Sequence, residues 1–190
     1  MQLHKRDVVE AATSLLDSYG LADLTMRRLA RELEVSPGAL YWHFANKQQL
    51  LGAVADHLLP TFDDLTGGWH ERVTTICHGL RNALLSHTDG AELVSASFAA
   101  GQSATMDEVL AALGGAAAEA GVAPAHTELA ARTVVYYVLG FTVDEQSRLQ
   151  WDAAGAQVSQ TVWTENPTAR FEFGLQLLMD GIAAHSRSQT

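Results

Sequence analysis

Within residues 27–47 the side chains Arg27, Tyr41, Trp42, His43 and Lys47 could read a nucleic acid. An arginine fork matches the two acceptors on a guanine edge, and a lysine meets phosphate oxygens as a point charge. Tyr41 and Trp42 are adjacent and cannot both be buried by one helix, so one face must present an aromatic ring outward. Gly38 and Ala39 are small enough to let backbone approach bases and touch thymine methyls. No competing chemistry stands out. Asp144 and Glu145 are neighbours and point apart on a helix. No nucleophile–base set or phosphate-binding glycine loop occurs, so no enzyme activity is expected. His70, His78 and His87 are eight and nine residues apart, which is not the i, i+4 spacing of a ligand pair. No metal and no cofactor are expected.

The elements that must position these groups read as helices. Val8, Ala12, Leu15 and Tyr19 recur at helical spacing, and Gly20 supplies a stop. Thr25 is an N-cap for a short second helix with Met26, Leu29, Ala30 and Leu33 apolar. Glu34-Val35-Ser36 reads as a tight turn. Ser36 caps a third helix, Pro37 suits its first position, and the helix is expected to end near His43-Phe44. Asn46 opens a fourth helix, with Gln49 as capping-box partner and Leu50, Leu51, Val54 and Leu58 as its apolar stripe. Two short helices joined by a three- to four-residue turn make a helix-turn-helix. Leu29, Ala30, Leu33, Val35, Leu40 and Phe44 are its expected interior.

Pro60 kinks or ends the fourth helix, and Gly67-Gly68 marks the passage from a first domain, residues 1–60, to a second, residues 61–190. Trp69, Val73, Ile76, Leu80 and Leu84 predict a long fifth helix. Further helices are expected near 91–99, 105–120, 125–143 and 168–184, with a looser connector over 147–166. The fold class is all-α.

The run Leu40-Tyr41-Trp42-His43-Phe44-Ala45-Asn46-Lys47 closely resembles the DNA-binding domain of the TetR (tetracycline repressor) family, and the resemblance covers residues 5–60. It implies a homodimer on double-stranded DNA. It also implies roles: Arg27 reads a base, Thr25, Tyr41 and Lys47 grip phosphates, and Pro37, Gly38, Ala39, Trp42 and His43 lie along the groove. Arg28 joins this DNA-contact set. Such a dimer spans half-sites about 34–36 Å apart.

The net charge of −10 first argues against nucleic acid. Its distribution removes the objection. Residues 1–57 carry six Lys/Arg against seven Asp/Glu, whereas residues 58–190 carry six against fifteen. Charges farther away than about 8–10 Å are largely screened at physiological salt. The single cysteine, Cys77, excludes an internal disulfide and suits a small core group. No leader or membrane-spanning run is read, so the expected place is the cytoplasm.

Weaker resemblance to tetracycline repressors continues at residues 83–91, at Leu139-Gly140 with Asp144-Glu145-Gln146, and at Phe173-Gly174-Leu175. In that register the family's asparagine, histidine and glutamate for a drug–magnesium chelate fall on Ile76, Val94 and Asp144. The imidazole that holds the metal is missing, so tetracycline–magnesium binding is not expected. The expected effector is small and apolar or aromatic. Its pocket would draw on Trp69, Ile76, Leu80, Val94, Phe98, Met106, Leu110, Val134, Tyr137, Phe141 and Trp151, with Ser97, Tyr137 or Asp144 orienting it. Ala130, Ala131, Gly140, Gly174, Leu177, Leu178 and Gly181 supply small and apolar positions for a dimer interface. A repressor released by effector is the leading reading. An activator, an effector-promoted binder, and an α-helical binding protein or enzyme without DNA function stay open on sequence.

Overall fold

A computed structural model describes residues 3–155 and 166–187. Among these residues nine α-helices follow one another: α1 (Lys5–Tyr19), α2 (Met26–Glu32), α3 (Pro37–Tyr41), α4 (Lys47–Leu58), α5 (Trp69–Leu85), α6 (Gly90–Ala99), α7 (Ala104–Glu119), α8 (Thr127–Ala153) and α9 (Pro167–Arg187). A 3-10 turn at Pro124–His126 precedes α8. No strand occurs among the described residues.

One boundary departs from the expectation. α8 was expected to stop near residue 143 and runs to Ala153. Residues 144–153 are polar but hold no glycine or proline. An i, i+4 pair, Arg148 Nε to Asp144 Oδ2 at 2.8 Å, braces them, and the stop comes only at Gly155, whose φ is +75°. Of the looser connector, residues 156–165 lie outside the described residues.

The chain groups into two compact units. Met1–Pro60 with Asn82–Met106 form the first, and Thr61–Arg81 with Asp107–Thr190 form the second. Residues 82–106 thus group with the N-terminal sixty, although the sequence division places everything beyond 60 together. α6 packs along α4, and a set of polar ties inside the first unit adds to that packing. Asp17, near the end of α1, accepts from Thr88 N at 3.2 Å and meets His87 Nδ1 at 3.0 Å. Asp89 returns the contact by accepting from Leu21 N at 2.7 Å. On α4, Asp56 accepts from Ser103 Oγ at 2.6 Å and from Thr105 N at 3.1 Å, and so caps the first turn of α7. Gly52 lets α4 come close to the segment after α6: a Cβ there would sit 2.0 Å from the Gln102 carbonyl oxygen.

Packing in the second unit centres on Phe171, which is fully buried. The rings of Tyr137, Phe141 and His78 lie 5.6, 5.4 and 5.5 Å from it. The Arg81 guanidinium stands 5.2 Å over the same ring and makes two bonds to Glu145, Nε to Oε2 at 2.8 Å and Nη2 to Oε1 at 2.6 Å. Tyr137 donates to the Phe171 carbonyl at 2.8 Å. Desolvation pushes its phenol up to about 12, with Cys77 adding to the rise and Arg81 opposing it. Burial likewise pushes the Cys77 thiol up to about 12, which suits a core group rather than a nucleophile.

Gly52→Ala is expected to cost about 1–3 kcal/mol, because the new methyl meets backbone that cannot swing away. Gly115→Ala, where a Cβ meets nothing within 4 Å in the middle of α7, is expected to gain about 0.5–1 kcal/mol. Urea midpoints of the two variants should therefore move in opposite directions.

Candidate nucleic-acid interface

The reading surface is built from three short-range devices. First, Thr25 Oγ1 accepts from Arg28 N at 3.2 Å and starts α2, while Leu29 and Ala30 bury its inner side. Second, the chain reverses at Glu34, whose φ is +54°, with Val35 N bonded to the Ala30 carbonyl at 2.9 Å. Third, Ser36 Oγ accepts from Ala39 N at 3.3 Å and Pro37 occupies the first position of α3. α3 ends at Tyr41, earlier than expected, because the chain tightens there: His43 N and Phe44 N both bond the Leu40 carbonyl.

Leu40 and Phe44 are buried at 0 and 2% exposure, and that fixes which residues face out. Trp42 is 91% exposed and Tyr41 51%. Pro37 and Gly38 are exposed, and Ala39 and His43 are half-buried. Leu33 and Val35, expected inside, are half-buried at the turn. α4 begins at Lys47, behind an Asn46 cap that accepts from Gln49 N at 2.9 Å. The Gln49 side chain reaches one residue farther back than a capping box requires and accepts from Ala45 N at 3.0 Å. Lys47 therefore sits where the positive end of a helix dipole already favours an anion.

Arg27 is exposed on α2. Arg28 is not turned outward beside it. Its guanidinium is ion-paired with Asp23 and lies 3.8 Å above the Tyr19 ring. Of the ten DNA-contact candidates it alone has its charge engaged within the protein in this way, among the interactions recorded for the described residues.

The candidate effector residues do not all point one way. Ile76, Leu80, Val94 and Met106 are fully buried, and Val134 and Ser97 nearly so. The Ser97 hydroxyl has no hydrogen-bond partner among the described residues. Trp69, Phe98, Leu110, Tyr137 and Phe141 are half-buried. Trp151 is 63% exposed at the end of α8, and exposed Asp144 is paired with Arg148, so these two stand outside the packed interior. Among the described residues no three or more His, Cys, Asp or Glu side chains are arranged so that they could hold a metal ion.

The candidate dimer residues divide as well. Ala131 is buried within the chain. Gly174 lies under Tyr137, where a Cβ would sit 2.2 Å from the phenol oxygen, so its small size serves packing inside the protomer. Gly140, Leu177 and Gly181 are exposed, and Ala130 and Leu178 half-buried. Around them stand Leu129, Tyr136 and Phe173, exposed at 63, 58 and 67%. Sequence reading missed these three. Their signal was the i, i+7 spacing of Leu129 and Tyr136 and the i, i+4 spacing of Phe173 and Leu177. Two apolar grooves, of about 440 and 700 Å³, run between α8 and α9 along this face.

A family model described as "Bacterial regulatory proteins, tetR family" matches residues 8–54, and one described as "Tetracyclin repressor-like, C-terminal domain" matches residues 60–186. The chain belongs to the tetR family. It is a helix-turn-helix, DNA-binding transcriptional regulator of that family. The tetracycline repressor protein class A from transposon 1721 of Escherichia coli is 33% identical, over 96% of this chain and 91% of the relative. The crystal structure of Mycobacterium smegmatis BioQ is 64% identical with a TM-score of 0.88, over 96% of this chain and 99% of that one. A crystal structure of BioQ with its natural double-stranded DNA operator is 62% identical with a TM-score of 0.85, over 97% of this chain and 100% of that one. No helix among the described residues of this tetR-family regulator is long and apolar enough to cross a membrane.

Trp42→Ala is expected to leave stability within about 0.5 kcal/mol of wild type, because the ring packs on little. Phe44→Ala, two residues away, is expected to cost about 3–5 kcal/mol. Thermal melts of the two variants check the assignment of outward and inward faces.

Proposed function

We propose that this tetR-family regulator is a homodimeric repressor that holds a palindromic double-stranded operator and releases it when a small apolar or aromatic effector binds. Residues 1–60 form the DNA-binding domain and residues 61–190 the ligand-binding and dimerisation domain. The observation that carries the reading is the outer face of α3. Tyr41 and Trp42 are large, stiff and exposed, with Arg27 and Lys47 exposed or half-exposed on the flanking helix starts. Two adjacent exposed aromatic rings, one an indole at 91% exposure, make a patch of the kind that marks a binding surface. The operator complex of the similar BioQ supports DNA as the partner.

In this reading Arg27 reads a base edge, Thr25, Tyr41 and Lys47 hold phosphates, and Pro37, Gly38, Ala39, Trp42 and His43 follow the groove. One short helix reads few base pairs, so a second copy supplies the other half-site. The face of Leu129, Tyr136, Phe173 and Leu177 suits that copy: four exposed apolar side chains on two adjacent helices make a seam that a four-helix bundle closes. Ile76 and Val94, where tetracycline repressors carry polar anchors, support an apolar effector. The effector acts only through its different affinity for the operator-competent and released states, and bound operator weakens effector binding by the same factor. The regulator works in the cytoplasm, where the DNA is.

Titration of duplexes at several salt concentrations tests the proposal. Arg27→Ala is expected to cost about 1–3 kcal/mol and to relax selectivity at one base pair. Lys47→Ala is expected to weaken every sequence alike and to lower the salt slope by about one unit. A wild-type chain that prefers no duplex over random competitor would overturn the reading. In sedimentation, Leu177→Glu is expected to shift the dimer toward monomer.

A further inference from the structure

We infer that Arg28 is a positioning residue for DNA reading: with Tyr19 and Asp23 it braces the α1–α2 corner and sets how Arg27 is presented, without itself meeting a phosphate. The inference rests on the functional reading above and adds a residue pair, Tyr19 and Asp23, that nothing in the sequence marks as belonging to the interface.

The geometry is local to the first unit. α1 ends at Tyr19, Gly20 follows with a φ of +79°, and α2 does not begin until Met26. Of the intervening residues Gly20 and Leu24 are buried and Leu21 half-buried, while Ala22 and Asp23 are exposed. Leu24 and Leu29 hold the inner side of this corner, and Asp89 holds Leu21 N. Arg28 adds a direct tie across its exposed side. It lies in the first turn of α2, next to the Thr25 cap that accepts from its backbone N–H. Its side chain folds back toward the corner, where the guanidinium carbon lies 3.8 Å from the centre of the Tyr19 ring and the group is paired with the Asp23 carboxylate. Stacking on an aromatic face while pairing with a carboxylate uses both properties that separate arginine from lysine. One residue therefore connects the last residue of α1, the linker and the first turn of α2. Arg27, its neighbour, is exposed and is the side chain asked to reach a base edge. Bidentate contact to guanine tolerates little misplacement, so the angle of α2 bears on discrimination at that one pair.

A phosphate contact would behave otherwise. Releasing Arg28 to meet DNA would strand the Asp23 carboxylate beside the duplex and uncover the Tyr19 ring, which is already 56% exposed. The two roles separate in measurement, because neutralising a phosphate releases counterions and fixing a helix does not.

The test uses the full-length chain and the duplex that wild type selects from a random pool, together with versions changed at each base pair in turn. Arg27→Ala first identifies the pair at which discrimination is lost. Tyr19→Leu changes no charge and sits at an exposed position, so it folds. It is expected to cut discrimination at that same pair by about threefold or more, out of a wild-type penalty of about tenfold or more. Discrimination at other pairs is expected to stay unchanged. A mere loss of folded protein lowers binding to all duplexes together and leaves these ratios alone. Arg28→Gln is expected to give the same pair-specific loss with the wild-type salt slope, and combining it with Tyr19→Leu is expected to add nothing further. A salt slope lowered by about 0.9 in Arg28→Gln would overturn the inference, as would wild-type discrimination in Tyr19→Leu. Failure of wild type to select any duplex would overturn the functional reading, and this inference with it.

Discussion

A helix of five residues does not stand alone. Isolated helices shorter than about 12–15 residues are marginal in water, and α3 spans only Pro37–Tyr41. It exists because both of its ends and its inner side are held: Ser36 caps the start, Pro37 presets the first φ, and Leu40 with Phe44 is buried behind it. Every outward placement follows from that anchoring. With Leu40 and Phe44 inside, helical geometry leaves Tyr41 and Trp42 no choice but solvent, and solvent is where a groove-reading surface must be. The inner apolar pair and the outer aromatic pair are two consequences of one packing event.

Inside the same unit, polar ties carry the anchoring outward. Asp17 and Asp89 lock the end of α1 to the turn before α6, and Asp56 locks α4 to the start of α7. Each carboxylate accepts backbone N–H groups that would otherwise lack partners, so each tie fixes position as well as adding energy. The proposed switch needs a unit of this kind. A signal can move a reading head only if the head is stiff, and α6 is bound to the helices that support α3 at both of its ends. In the second unit, the Arg81–Glu145 pair is buried at 6 and 10% exposure beneath the Phe171 cluster and holds α5 against α8. Removing either partner would leave a bare charge in the interior, which makes the pair a strong constraint on register whatever its net stabilisation.

Much of the DNA-binding surface was legible because its signals are local. Caps at Thr25, Ser36 and Asn46, a proline at a helix start and apolar spacing are all read within four residues. What was not legible depends on which of several possible partners a side chain takes, some near in the chain and some far. Nothing near Arg28 in sequence says that it stacks on Tyr19 rather than facing out with Arg27. Gly174 reads as a small residue for a helix seam, and only its contact with Tyr137 assigns that seam to the protomer's own interior. The end of α8 was misjudged because a polar, glycine-free stretch resembles a loop in composition while its i, i+4 charges favour helix. Asp144 was grouped with the pocket because the resemblance sets it at the family's glutamate, and Trp151 was added as a further apolar lining candidate; both are exposed on the extended α8. The ties of residues 82–106 to α1 and α4 rest on Asp17, Asp56 and Asp89, three carboxylates indistinguishable in sequence from surface charge.

The central claim is that the exposed Tyr41–Trp42 face of α3 is the surface that meets DNA. The most direct measurement is fluorescence from a chain in which Trp42 is the sole tryptophan, with Trp69, Trp151 and Trp163 replaced by phenylalanine. Titrated with the duplex that the protein selects, its emission should start at the wavelength of a water-exposed indole. It should then shift to the blue and change in intensity in step with binding measured by anisotropy of the labelled DNA. A duplex that binds while Trp42 keeps the spectrum of a fully hydrated ring would contradict the account.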